Sequence, residues 1–197
     1  MGRSARIQRT TNETDISLAL DLDGTGAVDA STGIGFFDHM LAAFARHGLF
    51  DLDVRVKGDL QVDGHHSVED AGIVLGQAFS QALGDKRGIR RYGSCILPMD
   101  EALLLCAADL SGRSCLRLQV QLPTEKVGTF DTELVEEFFQ ALTREARMNL
   151  HLRQLDGTNS HHIIEAMFKA LGRTLRQAVA IDPDCRDEIP STKGVLA

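Results

Sequence analysis

The amino-acid sequence predicts an α+β fold built from two similar halves. Each half has the order β-β-β-α-β-α, giving two mixed four-stranded sheets that are each covered on one face by helices. One observation is a histidine doublet followed by a glutamate, which begins at His65 as HHSVE and recurs at His161 as HHIIE. The other is that further landmarks recur in the same order on both sides of the middle of the chain, as expected of a tandem duplication.

The hydrophobic pattern assigns the same elements to both halves. Alternation of apolar and polar residues predicts strands, and spacing of three to four residues between Phe, Leu, Met and Ala predicts helices. In pairs, the predicted elements are strands 15–22 and 103–110, helices 36–47 and 133–148, strands 51–56 and 150–155, and helices that run from each doublet to about residues 83 and 179. Residues 1–88 are therefore predicted as the first half-domain and residues 89–197 as the second, together forming one compact catalytic unit.

Composition excludes several classes of protein. The chain of 197 residues has a formal net charge of −7, which disfavours a nucleic-acid partner or an anionic membrane surface. The longest apolar run, residues 102–108, is too short to span a bilayer, and the start of the chain has no secretory signal pattern. The four cysteines form no CxxC pair, which is typical of thiols in a reducing compartment. We expect a cytoplasmic protein.

The two doublets predict two related metal sites. Residues four apart lie on one face of a helix, so His65 with Glu69, and His161 with Glu165, can each present an imidazole and a carboxylate to one ion. The second histidine of each doublet is turned by roughly 100° and is better placed to reach another metal or the site of the other half. Such ligands without thiolates fit Zn, Mn, Fe or Ni, and open octahedral positions favour Mn(II).

Other residues complete the candidate site. Three more histidines, His39, His47 and His151, lie near the duplicated landmarks. Groups that suit a phosphate surround glycine turns or lie in the C-terminal tail. They are Lys86, Arg87, Arg90, Arg91, Arg113, Ser191, Thr192 and Lys193.

Long motifs across nearly the whole chain resemble the imidazoleglycerol-phosphate dehydratase family of histidine biosynthesis. They include RTTNET from Arg9, TGIGFFDHML from Thr32, RHGLFDL from Arg46, DGHHSVED from Asp63, MDEA from Met99, NSHH from Asn159 and IPSTKGVL from Ile189. The resemblance implies a metal-dependent hydro-lyase that converts D-erythro-imidazoleglycerol phosphate to imidazoleacetol phosphate and water. It also implies a homo-oligomer of 24 copies with active sites between subunits, and a small phosphate substrate rather than nucleic acid or membrane.

The resemblance also implies roles for individual residues. The implied ligands of two Mn(II) ions per active site are His39, His65, His66, Glu69, His151, His161, His162 and Glu165. The implied phosphate-binding residues are Arg91, Arg113, Ser191 and Lys193, with His47. Glu13 would contact the substrate diol or transfer a proton, with Glu69 or Glu165 as the other candidate acid/base groups.

The chemistry agrees with such a site. The substrate has no carbonyl to acidify its C2–H bond, so its imidazole is the electron sink, and we expect a metal-stabilised imidazolate. Two other functions stay open from the residues alone. One is a dinuclear metallohydrolase, although such sites usually contain more aspartates. The other is a metal-storage or metal-sensing protein, which the phosphate-type tail disfavours.

Overall fold

The computed structural model describes residues 2–196 and has the predicted α+β order in both halves. The first half contains β1 (Ser4–Thr10), β2 (Thr14–Asp21), β3 (Val28–Ser31), α1 (Gly35–Gly48), β4 (Asp51–Gly58) and α2 (His65–Leu83). The second half contains β5 (Tyr92–Met99), β6 (Ala102–Asp109), β7 (Cys115–Gln119), β8 (Lys126–Val127), β9 (Phe130–Asp131), α3 (Leu134–Glu145), β10 (Asn149–Asp156) and α4 (Ser160–Val179).

The two main sheets have the same topology, which confirms the predicted fold class. Their strand orders are β1-β2-β4-β3 and β5-β6-β10-β7. In each sheet the first three strands are antiparallel, whereas the edge strand β3 or β7 runs parallel to its neighbour. The division of the chain at residue 88 stays a prediction, and it falls in the connection between α2 and β5.

The second half has a feature that the pattern did not predict. The β8–β9 hairpin occupies the segment between β7 and α3, where the first half has only a short connection. Phe130 of this hairpin is buried against Phe36 and Phe37 of helix α1. Strands of two residues are too short for alternation to identify, so the sequence carried no signal for them.

The helices lie between the two sheets and share one apolar core. Helices α1 and α2 pack on the first sheet, α3 and α4 pack on the second, and the contacts between layers are α1 with α4 and α2 with α3. Glycines permit the close approach of these helices. A Cβ on Gly172 of α4 would lie 2.3 Å from the carbonyl oxygen of Phe44, and one on Gly72 of α2 would lie 2.8 Å from that of Phe138.

Local signals set the ends of the helices that carry the doublets. The Asn159 side chain accepts hydrogen bonds from the backbone N–H groups of His161 and His162, which places the second doublet in the first turn of α4. Helix α3 ends three residues before the prediction, because Arg147 has a left-handed conformation with φ of 50° that interrupts the helix. Within residues 2–196, no helix combines the length and the apolar character that crossing a membrane requires.

Candidate active site

The packing of α1 against α4 gathers three of the predicted metal ligands. The Nε2 atom of His161 lies 3.2 Å from Oε2 of Glu165, and Nε2 of His39 lies 3.6 Å from the same oxygen. One ligand atom from each residue lies within 4.8 Å of the other two. Helical spacing brings the first pair together, and the contact between α1 and α4 supplies His39.

Glu165 is held in its anionic form in this cluster. Burial of its carboxylate, whose side chain is 9% exposed, acts to raise the pKa, but the Lys169 ammonium group at 2.7 Å and the two imidazoles outweigh it and lower the pKa. Lys169 also approaches the Met99 sulfur at 3.3 Å. Two imidazoles and an anionic carboxylate are suitable ligands for a divalent metal ion.

We call each pair of a histidine and a glutamate four residues apart a clip: His65 with Glu69 on α2, and His161 with Glu165 on α4. The clip on α2 is more exposed to solvent than the clip on α4. The Nε2 atom of His65 lies 3.9 Å from Oε2 of Glu69, and both side chains are partly exposed. The cation near this carboxylate is Arg144 of α3, whose Nη2 lies 3.9 Å from Oε1 of Glu69. Within the described residues, no third histidine or acid joins this pair at the distances found in the second-half cluster.

The second histidine of each doublet contacts carboxylates instead. The Nδ1 atom of His66 lies 3.1 Å from both Asp59 oxygens, and its Nε2 lies 3.7 Å from Oε1 of Glu13. In the second half, Nδ1 of His162 lies 2.7 Å from Oε2 of Glu101, and its Nε2 lies 3.5 Å from Oδ2 of Asp100. Hydrogen bonding to Asp59 raises the pKa of His66, and bonding to Glu101 raises that of His162.

Glu13 occupies the turn between β1 and β2. The Thr11 hydroxyl accepts the backbone N–H groups of Glu13 and Thr14, and the Glu13 carbonyl accepts the Asp59 N–H at 3.1 Å. Its side chain is 54% exposed and faces His66. The backbone of the turn is therefore fixed while the carboxylate stays accessible to a substrate.

Four of the five residues that the family resemblance implies for phosphate binding line one surface cleft, and His47 does not. Arg91, Arg113, Ser191 and Lys193 all contribute to a cleft with a volume of about 460 Å³, and none of the predicted metal ligands lines it. Arg91 donates to both oxygens of Asp109 and to the Pro190 carbonyl, which ties the tail to the second sheet. The cleft is large enough for a phosphate and the first atoms of its ester.

Two predicted residues lie apart from these groups in the single chain. His47, at the end of α1, has a lowered pKa because of burial and the nearby cations Lys169 and Arg173. His151 is exposed on β10, beside Ala107 and Arg117 in the sheet register. The structure therefore brings neither residue to the cleft or to a clip of its own chain.

Five neighbours of the predicted ligands were not identified as site residues from the sequence. They are Asp59, Asp100, Glu101, Arg144 and Lys169. The sequence did contain a signal for the contact of Lys169 with Glu165, because the two residues lie four apart on the same face of α4. Glu101 carried one as the counterpart of Glu13 in the repeat. Asp59 and Asp100 lie in loops whose approach to the doublets only the folded chain reveals.

The fold and the site together define a class of protein: a duplicated α+β domain that carries a helical His–Glu pair in each half and a cation-lined cleft. Solved structures of this class are similar to the chain. One is imidazoleglycerol-phosphate dehydratase from Staphylococcus aureus N315, with a TM-score of 0.83, 41% identity, and coverage of 91% of this chain and 99% of that one. The Pyrococcus furiosus enzyme also has a TM-score of 0.83, with 37% identity over 96% of this chain and all of that one.

The sequence comparisons identify the family. The family model described as imidazoleglycerol-phosphate dehydratase matches residues 32–175. A relative of that name from Jannaschia sp. is 62% identical over 98% of this chain and all of its own length. One from Lachnoclostridium phytofermentans is 61% identical over the full length of both. The chain belongs to the imidazoleglycerol-phosphate dehydratase family, and the family resemblance inferred from its motifs is confirmed.

Proposed function

We propose that this chain converts D-erythro-imidazoleglycerol phosphate to imidazoleacetol phosphate and water, using two Mn(II) ions in each active site. The observation that carries the proposal is the cluster of His39, His161 and Glu165 in a member of a dehydratase family. The product of this reaction belongs to histidine biosynthesis, and a cytoplasmic location stays a prediction.

The donor set fits the proposed ions. Imidazole nitrogens and carboxylate oxygens without thiolates suit Mn(II), and both clips supply only these atoms. The residues that would hold the ions are His39, His65, His66, Glu69, His151, His161, His162 and Glu165. When bound, the ions would supply Lewis-acid stabilisation of negative charge on the substrate imidazole.

The chain's own residues would bind the substrate and move its protons. Arg91, Arg113, Ser191 and Lys193 would hold the phosphate in their shared cleft, and His47 would join them from another subunit. The accessible Glu13 carboxylate would take the C2 proton, and its acid form or another carboxylic acid would protonate the departing C3 hydroxyl, so that water leaves. The remaining enol would lose the proton of its C2 hydroxyl and gain one at C3 to give the ketone. Glu69 and Glu165 are the other groups that could transfer a proton.

An assembly of several copies accounts for the distribution of these groups. The cleft, the clips, His47 and His151 do not form one pocket within the chain. A small substrate with a phosphate and an imidazole would need both the cleft and the clips. We therefore propose active sites between subunits of a homo-oligomer, with 24 copies as the expected number.

The test is turnover by metal-stripped protein before and after addition of Mn(II). We expect imidazoleacetol phosphate to form only after the metal is restored, and a Glu13→Gln variant to lose turnover by about 100-fold or more. Absence of turnover with Mn(II), Zn(II) or Fe(II), in assembled protein that binds metal, would refute the proposal and favour hydrolysis or metal storage. Full kcat in Glu13→Gln would remove Glu13 from the mechanism.

A further inference from the structure

The two halves place a glutamate at equivalent turns, but these two glutamates have different surroundings. Glu13 lies between β1 and β2, and Glu101 lies between β5 and β6, the matching strands of the second sheet. Both turns lie beside the second histidine of the nearer doublet. The duplication therefore permits a direct comparison of what each carboxylate contacts.

Glu101 is tied to the start of α4 by three hydrogen bonds. Its Oε2 lies 2.7 Å from Nδ1 of His162, and its Oε1 accepts the backbone N–H groups of Asn159 at 2.8 Å and Thr158 at 3.3 Å. These three contacts fix the position of the Glu101 carboxylate and occupy both of its oxygens.

Glu13 has no corresponding bonds. In the part of the chain that the structure describes, its carboxylate accepts no hydrogen bond, and the basic nitrogen within 4 Å of it is Nε2 of His66 at 3.7 Å. The Nδ1 atom of that histidine is occupied by Asp59 instead. Asp59 lies in the loop before the first doublet, whereas the shorter loop 157–159 before the second doublet, Gly-Thr-Asn, contains no acid.

A carboxylate at Nδ1 determines which imidazole nitrogen is available. Because a carboxylate only accepts, Nδ1 must donate its proton to it, and the lone pair of a neutral ring is then on Nε2. Carboxylates that contact a metal-binding histidine in this way fix both its tautomer and its ring orientation. Asp59 and Glu101 satisfy this geometry for His66 and His162.

We infer that Asp59 and Glu101 are positioning residues that hold the second imidazole of each doublet with Nε2 available to a metal ion. Since Asp59 does this in the first half, Glu13 is left unengaged and available for proton transfer. The inference rests on the proposed function, and it assigns opposite tasks to the two glutamates of the duplicated turn.

The experiment compares Glu101→Gln with Glu13→Gln, the same substitution at equivalent positions. Binding of Mn(II) to metal-stripped, assembled protein is measured by electron paramagnetic resonance of the free ion, and kcat and KM are then measured at saturating Mn(II). We expect Glu101→Gln to weaken Mn(II) binding about 10-fold or more and to recover turnover when Mn(II) is raised. We expect Glu13→Gln to bind Mn(II) like the wild type and to lose kcat.

Asp59→Asn is the second variant. Among residues 2–196 the Asp59 carboxylate hydrogen-bonds to His66 alone, whereas Glu101 also bonds the start of α4. If Glu101→Gln fails to assemble in size-exclusion chromatography, Asp59→Asn decides the matter by the same loss of affinity. Wild-type affinity for Mn(II) in an assembled Glu101→Gln or Asp59→Asn variant would overturn the inference. Since binding is measured without substrate, this outcome is distinct from a wild-type enzyme that fails to turn over imidazoleglycerol phosphate.

Discussion

A partly buried ion pair joins the strand before Glu13 to the helix of the first doublet, and its removal gives the sharpest stability prediction. Nη1 of Arg9 and the Thr14 hydroxyl each donate to Oδ2 of Asp70 at 2.5 Å. The Asp70 side chain is 9% exposed and that of Arg9 is 30% exposed. Loss of Arg9 therefore leaves a buried carboxylate without its cationic partner, whereas loss of the Asp70 charge leaves a cation that can reach water.

The two substitutions should differ in cost for this reason. Arg9→Met leaves the Asp70 carboxylate with Thr14 alone, and we expect it to lower the free energy of unfolding by about 3 kcal/mol. Asp70→Asn keeps an acceptor for Thr14 and loses one charge-assisted hydrogen bond, which costs about 1.5 kcal/mol. The double variant should cost no more than about 3 kcal/mol, because the two residues share one interaction.

Urea unfolding at one fixed protomer concentration measures these values, since assembly contributes to stability. The control is Arg6→Met on the same strand, where the side chain is exposed and the expected change is below about 0.5 kcal/mol. A cost for Asp70→Asn that equals or exceeds that of Arg9→Met would refute the reasoning. So would a double variant whose cost is the sum of the two single ones.

Three further predictions concern the core, a helix contact and acid stability. Phe138→Ala should cost about 4 kcal/mol, because its buried ring stacks on Phe168 at 5.0 Å; an unchanged melting temperature would contradict this. Gly172→Ala should lower the free energy of unfolding by about 1–3 kcal/mol, because the new Cβ would lie 2.3 Å from the backbone of α1. The control is Gly35→Ala, which should be neutral or stabilising because a Cβ there faces open space. Equal melting temperatures of the two variants would contradict the prediction. Three backbone N–H groups of the turn before β3 donate to Asp51 and lower its pKa below 3.8 in the folded protein. The stability that these hydrogen bonds contribute is therefore present above pH 3.8, and it is lost as the pH falls through the pKa of Asp51 in the folded protein. The free energy of unfolding of Asp51→Asn, measured by urea titration at a series of acidic pH values, should lack this loss. The same decrease with falling pH in the variant and the wild type would contradict the assignment.

The fold could be predicted because the same pattern of strands and helices occurs in both halves of the sequence. Each strand or helix pattern in one half has a counterpart in the other. The β-β-β-α-β-α order is confirmed in the first half and, apart from the additional β8–β9 hairpin, in the second. The β8–β9 hairpin was not predicted, because it has no counterpart in the first half and its strands are too short to show alternation. The early end of α3 depends on the backbone angle of Arg147, which composition does not reveal.

Helical spacing predicted part of the site, and the family resemblance supplied His39 and the residues of the cleft. Residues four apart gave the pairs His65 with Glu69 and His161 with Glu165, and the structure has each pair within 4 Å. The approach of Asp59 to His66 depends on the path of a loop, and no periodic signal describes it.

The unequal surroundings of the two clips follow from what the matching helices present to them. Helix α1 packs on α4 as α3 packs on α2, so each clip faces a helix of the other half. The first contact delivers the imidazole of His39 to Glu165, and the second delivers the guanidinium of Arg144 to Glu69. A guanidinium has no lone pair to offer a metal, so the clip on α2 gains a counter-charge and no third ligand from this packing. If that clip binds an ion as proposed, a further ligand has to come from beyond this helix pair, and the exposed His151 of a second copy has the required chemistry.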